Sequence, residues 1–273
     1  MFNLHGRFVW YELITTEPDA AQKFYSNVMG WGVLDASVPS RAYTLFTAGS
    51  DLVSGMVDLP EDGKRLGGKP AWIGYIGVQD VDATASRISG LGGTVHVPPT
   101  DVTNVSRFSI FADPQTARLG LLRWARSPLQ KTADLDAIGQ VGWHELLATD
   151  WHSAFAFYSE LFGWQQADAR TGEMGTYQLF SSGGHAMGGI VTKASAVPAP
   201  FWLYYFNVED VEATARRVED GGGQIFNGPV KLPNGSRILQ CMDPQGGIFA
   251  LKGKRAHESI GYFKDAAERK WSW

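Results

Sequence analysis

The chain has 273 residues, 44% hydrophobic and 19% charged, with a formal net charge of −4. No apolar run is long enough to span a bilayer, the acidic balance leaves no footprint for nucleic acid, and no Lys/Arg run suits an anionic membrane surface. A single cysteine, Cys241, rules out an internal disulfide and fits a cytoplasmic setting, and the start "MFNLHGRFVW" lacks a secretory pattern.

In chain order, "FVWYELIT" (8–15) alternates and is rich in β-formers, which predicts a strand. Glu17-Pro18-Asp19 then opens a helix whose buried face is Ala21, Phe24, Tyr25 and Val28, and Gly30 stops it. Strands "AYTLFTAG" and "LVSGMVDL" follow, joined by a Gly-Ser-Asp turn. The plan then restarts with strand "WIGYIGV", a helix from Asp80 to about Ser89, a stop at Gly92-Gly93, and strands near 94–96, 105–111 and 119–123.

After this the chain repeats itself. "WYELITTEPDAAQKFYSNVMGW" (10–31) aligns with "WHELLATDWHSAFAFYSELFGW" (143–164), "WIGYIGVQDVDATASRISGLGG" (72–93) with "WLYYFNVEDVEATARRVEDGGG" (202–223), and "NVSRFSIFADPQ" (104–115) with "NGSRILQCMDPQ" (234–245). The offset stays between 130 and 134 residues, the mark of a tandem duplication. The segments divide as a first domain over 6–125, a linker over 126–138, a second domain over 139–254 and a C-terminal extension over 255–273. Two tryptophans in the final "ERKWSW" predict that 270–273 docks rather than frays.

The strand–"TTEPDAAQKFYSNVMGW" unit, "VQDVDATASRI" and the "ADPQ" or "MDPQGG" turn before the last strand resemble the vicinal oxygen chelate superfamily. That group includes glyoxalase I, extradiol dioxygenases and bleomycin and fosfomycin resistance proteins; the two-domain, glyoxalase-like branch is the most similar. The resemblance implies an α+β fold in which four βαβββ units form two tandem domains, each a mixed sheet curled into a cup with helices outside. It also implies, in members that do chemistry, a divalent metal held in the cup by His, Glu or Gln.

The matching ligand positions are Trp10 and Trp143 on the first strands, Ile73 and Leu203 on the fifth, and Gly120 and Ala250 on the last, with Asp58 the sole donor on the fourth. Those residues predict no metal and no cofactor. "VGWHELLATD" sets His144 beside Trp143, and strand neighbours face opposite ways, so His144 reads as a core histidine. Glu12 and Glu145 share the apolar face of Trp10 and Trp143. Each is a candidate catalytic or ligand-orienting acid; the alternative is a structural carboxylate tied to backbone amides or to Arg107 and Arg237, which recur in both copies. Tyr75 and Tyr205 also recur on the cup face, as stacking surfaces or core aromatics. The expected ligand-binding set is therefore Trp10, Glu12, Tyr75, Arg107, Trp143, Glu145, Tyr205 and Arg237.

Three functions fit these residues. The first is a metal-independent protein that binds a small aromatic or apolar molecule, as the antibiotic-sequestering members do. The second is a lyase, isomerase or dioxygenase with a relocated metal or metal-free acid–base chemistry. The third is an interaction module with filled cups. Small-molecule binding is the favoured expectation, in a monomer or homodimer, with no nucleic-acid or membrane partner.

Overall fold

A computed structural model describes residues 4–38, 41–65, 67–125, 136–172 and 175–254. Most of the linker and the C-terminal extension, including "ERKWSW", lie outside the described residues.

Each half forms one eight-stranded sheet from two βαβββ units. In the first half, β1 (Phe8–Thr15), α1 (Pro18–Met29), β2 (Gly32–Asp35), β3 (Thr44–Ala48) and β4 (Asp51–Asp58) make the first unit. A short helix, α2 (Glu61–Arg65), leads to β5 (Ala71–Gly77), α3 (Val81–Gly90), β6 (Thr94–Val102), β7 (Ser106–Ala112) and β8 (Arg118–Trp124). The second half repeats this with β9 (Val141–Ala148), α4 (Trp151–Phe162), β10 (Gln165–Gly172), β11 (Gly175–Ser182) and β12 (His185–Thr192). It ends with β13 (Phe201–Asp210), α5 (Val211–Asp220), β14 (Gln224–Lys231), β15 (Arg237–Met242) and β16 (Ile248–Lys254). Strand orders are β2-β3-β4-β1-β5-β8-β7-β6 and β10-β11-β12-β9-β13-β16-β15-β14. The units join at antiparallel β1–β5 and β9–β13, while β1–β4 and β5–β8 are parallel. This is the expected α+β architecture of two tandem domains. Strand β2 escaped the sequence reading because it has four residues, all exposed, and so no alternation to detect.

The helices form where their local chemistry directs. In α1 Pro18 takes the first turn, Ala21, Phe24, Tyr25 and Val28 are all buried, and Gly30 turns left-handed at φ 70° to end it. In α4 the Asp150 carboxylate accepts the amides of His152 and Ser153, and Gly163 stops the helix at φ 69°.

One apolar cluster mixes residues of both halves, and each remaining cluster belongs to a single sheet. The shared cluster is held by pairs that a pseudo-two-fold axis exchanges. Tyr25 donates to Asp243 at 2.8 Å, and Tyr158 donates to Asp113 at 2.9 Å. The Trp31 indole donates to the Gly139 carbonyl at 3.1 Å, and that of Trp164 to the Gly6 carbonyl at 2.7 Å. On the axis, residues meet their own counterparts: Tyr11 bonds His144 at 2.6 Å, and the Gly74 amide donates to the Tyr204 oxygen at 2.7 Å. Such reciprocity is the rule of an isologous interface, here within one chain. The Asp-Pro-Gln turns now have a reason to recur. Asp113 accepts the amides of Gln115 and Ala117 with one oxygen and the Tyr158 phenol with the other, so a single side chain shapes the turn and clasps the opposite half.

His144 belongs to this interior. It stacks on Phe8 at 3.7 Å, and its Nδ1 lies 2.6 Å from the Met187 carbonyl. A carbonyl can only accept, so Nδ1 carries the proton and Nε2 accepts from the Tyr11 phenol. Burial holds the imidazole down to about 4, the Met187 bond opposing, and the ring is neutral at physiological pH.

Candidate active site: a carboxylate gripped by phenols

The helix-free face of each sheet gathers the residues that alternate away from the shared core. Trp10, Ile73, Tyr75, Phe108, Ile110 and Trp124 cluster on the first; Trp143, Leu147, Leu203, Tyr205, Ile238 and Ala250 cluster on the second. One carboxylate sits in each.

On the first face the Tyr75 phenol donates to Glu12 Oε2 at 3.0 Å. Tyr43 donates to the same carboxylate and accepts the Trp10 indole N–H at 3.1 Å. Arg41 approaches Glu12 Oε2 at 3.9 Å, with its guanidinium 5.6 Å from the centre of the Tyr43 ring. On the second face Tyr177 and Tyr205 donate to Glu145 Oε2 at 3.1 and 3.2 Å, and Trp143 donates to Tyr177 at 2.9 Å. Gln240 adds a bond to the Tyr205 oxygen at 3.1 Å. The result is a chain of donors, Trp to Tyr to Glu, met from the other side by a second Tyr.

Two glycines make room for this on the first face. A Cβ at Gly55 would fall 2.0 Å from the Tyr43 oxygen, and one at Gly120 2.1 Å from the Tyr75 ring. On the second face a Cβ at Gly189 would fall 2.1 Å from the Tyr177 ring. The Tyr43 and Tyr177 rings therefore lie over the strand next to the carboxylate, since Gly55 is the register partner of Glu12 and Gly189 that of Glu145.

Burial dominates the electrostatics. It raises the pKa of Glu12, against the pull of Arg41, Tyr75 and Tyr43, and that of Glu145, against Tyr177 and Tyr205. Burial, then the neighbouring carboxylate, pushes the Tyr75, Tyr177 and Tyr205 phenols well up, so all three keep their protons and remain donors.

Of the sequence-predicted set, Trp10, Glu12 and Tyr75 come together on one face, and Trp143, Glu145 and Tyr205 on the other. Arg107 and Arg237 do not join them, which corrects the expectation for both. Each alternates onto the helix side of its strand. Arg107 pairs with Asp82 on α3 at 2.7 Å and Asp101 on β6 at 2.9 Å, and Arg237 with Glu212 on α5 at 3.1 Å. Sequence reasoning missed Tyr43 and Tyr177. Their signal was present: "AYTLFTAG" and "TYQLFSSG" align with Tyr, Leu, Phe and Gly in step. Gln240 had no such signal, because its counterpart is Ile110.

The resemblance implies a divalent metal in members that do chemistry, and the residues gathered on these faces do not fit one. The positions that the resemblance gives to metal ligands carry Trp10, Ile73 and Gly120 in one half and Trp143, Leu203 and Ala250 in the other, and Asp58 lies at a strand end paired with Lys64. Among the described residues no three His, Cys, Asp or Glu side chains converge. A lone carboxylate already accepting two phenols is a poor donor set for such an ion.

The sequence profile of the "Glyoxalase/Bleomycin resistance protein/Dioxygenase superfamily" matches residues 7–120 and 138–251. The chain is 32% identical over 244 residues to the "Putative glyoxylase CFP32" of Mycobacterium tuberculosis, covering 89% of this chain and 92% of that protein. It is 30% identical over 264 residues to the "Anthracycline biosynthesis protein DauV" of a Streptomyces species, covering 90% and 92%. Among solved structures, the 2,2',3-trihydroxybiphenyl 1,2-dioxygenase of Sphingomonas wittichii superposes with a TM-score of 0.64 at 13% identity, over 92% of this chain and 91% of that one. The Mn(II)-bound glyoxalase of Novosphingobium aromaticivorans gives 0.63 at 15%, over 93% and 84%. At such identities these structures share the fold and nothing finer.

Proposed function

We propose that this chain, a member of the glyoxalase/bleomycin resistance protein/dioxygenase superfamily, binds a planar aromatic small molecule on the helix-free faces of its sheets without a resident metal. The observation that carries this is the recurrence of Trp, Glu and two Tyr in the same hydrogen-bond order on both faces. Indole and phenol rings supply flat apolar surface, and the carboxylate supplies an acceptor for a hydroxyl or amino group on the ligand. The name of the anthracycline-biosynthesis relative points to the same ligand chemistry.

Titration with a hydroxylated anthraquinone tests this. Tryptophan emission should quench on binding, and Glu12→Gln with Glu145→Gln should weaken binding about tenfold, the worth of a hydrogen bond to a charged acceptor. Unchanged emission and unchanged melting temperature across a panel of planar aromatics would sink the proposal.

One observation favours a second reading, acid–base turnover. Both carboxylates titrate above their ordinary range, in the direction that suits a general base. Under that reading the protein turns over the hemithioacetal of a 2-oxoaldehyde, and Glu→Gln abolishes the rate while the fold survives.

A further inference from the structure

Each helix-free face has an arginine at its rim, and the repeat does not relate the two. Arg41 stands two residues before Tyr43, where the second copy has Gly175 before Tyr177. Arg170 pairs in register with Tyr177 across β10 and β11, where the first half has Ala36, whose amide donates to the Tyr43 carbonyl. Duplication alone would have set both arginines at one position. The same charge has been reached twice, from different strands, at the edge of the same phenol.

Both groups are placed to meet a ligand. The Arg41 side chain is 45% exposed, with its guanidinium beside the Tyr43 ring. Arg170 is exposed, and as the register partner of Tyr177 it projects on the same side of the sheet. Its charge acts on the Tyr177 phenol. Among the described residues Arg41 makes one ion pair, a long one to Glu12, and Arg170 makes none. A guanidinium fork matches a carboxylate with two parallel hydrogen bonds. A buried carboxylate by itself would repel an acidic ligand; a rim cation reverses that at the mouth while leaving the floor acceptor in place.

Resting on the aromatic-binding reading above, we propose that the ligand is an aromatic acid. Its rings lie along the Trp and Tyr wall, and its carboxylate pairs with Arg41 on the first face and with Arg170 on the second.

Calorimetric titration with anthraquinone-2-carboxylate and with its primary amide separates the two readings. The wild-type chain should bind the carboxylate about tenfold more tightly than the amide, the scale of a charge-assisted pair. Arg41→Gln should remove that preference at one site, Arg170→Gln at the other, and the double variant should bind both probes alike. Equal wild-type affinities, or a preference that survives the double variant, would overturn the aromatic-acid assignment and leave aromatic binding standing. Absence of binding by either probe would overturn both. Both side chains are at the surface, so circular dichroism should match the wild type throughout.

Discussion

The two halves agree where they clasp each other and where they hold a carboxylate, and they diverge on the axis and at the rims of the faces. The Tyr25–Asp243 and Tyr158–Asp113 clasps are the same bond made twice, and so are the Trp–Tyr–Glu–Tyr chains of the two faces. On the axis, by contrast, Tyr11 faces His144 and Gly74 faces Tyr204. At the rims, Arg41 and Ile110 of the first face stand against Gly175 and Gln240 of the second. The difference is physical. A clasp that exchanges across the axis fails if either copy changes, because a buried polar group loses its partner. A residue that meets its own counterpart needs one donor and one acceptor, and two identical side chains are seldom the best pair.

The largest expected effect tests the axis. His144 is neutral in the fold, with its pKa lowered from 6.5 to about 4. A depressed pKa means that the unfolded chain takes up the proton first. The stabilisation is therefore complete above pH 6.5 and is lost as pH falls through 4, on the order of 3 kcal/mol in all. Urea midpoints at pH 7.5 and 4.5 should show this drop in the wild type and a much smaller one in His144→Gln. A drop of the same size in both would remove His144 as its source.

The clasps come next. Tyr25→Phe and Tyr158→Phe should each destabilise by about 2 kcal/mol, the loss of a buried hydrogen bond to a carboxylate, and by nearly equal amounts. Unequal losses in chemical denaturation would break the equivalence of the two clasps.

Substitutions beneath the phenols sharpen the comparison of the faces. Gly189→Ala should cost on the order of 1–3 kcal/mol, since the new Cβ meets the Tyr177 ring, and should lower affinity on the second face. Gly120→Ala should cost less, because Ala250 already occupies that position beside Tyr205 in the second copy, so the fold accepts a methyl there. Thermal melts of the two variants would rank them; the reverse order would mean that the phenols settle differently on the two faces.

Much of this was legible in the sequence. The repeat, the β-α punctuation of Pro18, Gly30 and Asp80, and the face shared by Trp10 and Glu12 follow from local rules of alternation and capping, which depend on a residue and its near neighbours. Such rules could not partner the carboxylates. Arg107 recurs as faithfully as Glu12, yet one turn of alternation sends it to Asp82 on the helix side. Tyr43 lies two strands away from Glu12, across β4, and the glycine beneath it at Gly55 shows its purpose only once β3, β4 and β1 are side by side.

The sequence by itself determined that the chain is two copies of one plan, that each copy is two βαβββ units, and that a carboxylate faces indole on each sheet. Period and repetition carry that information along the chain. The tertiary structure alone decided that Tyr25 reaches the opposite half, that His144 is protonated on Nδ1, that two phenols grip each carboxylate, and that arginines from unrelated positions reach matching rims. Those are contacts between residues tens to hundreds of positions apart, and only the packing of sheets and helices sets the distances on which a hydrogen bond or an ion pair depends.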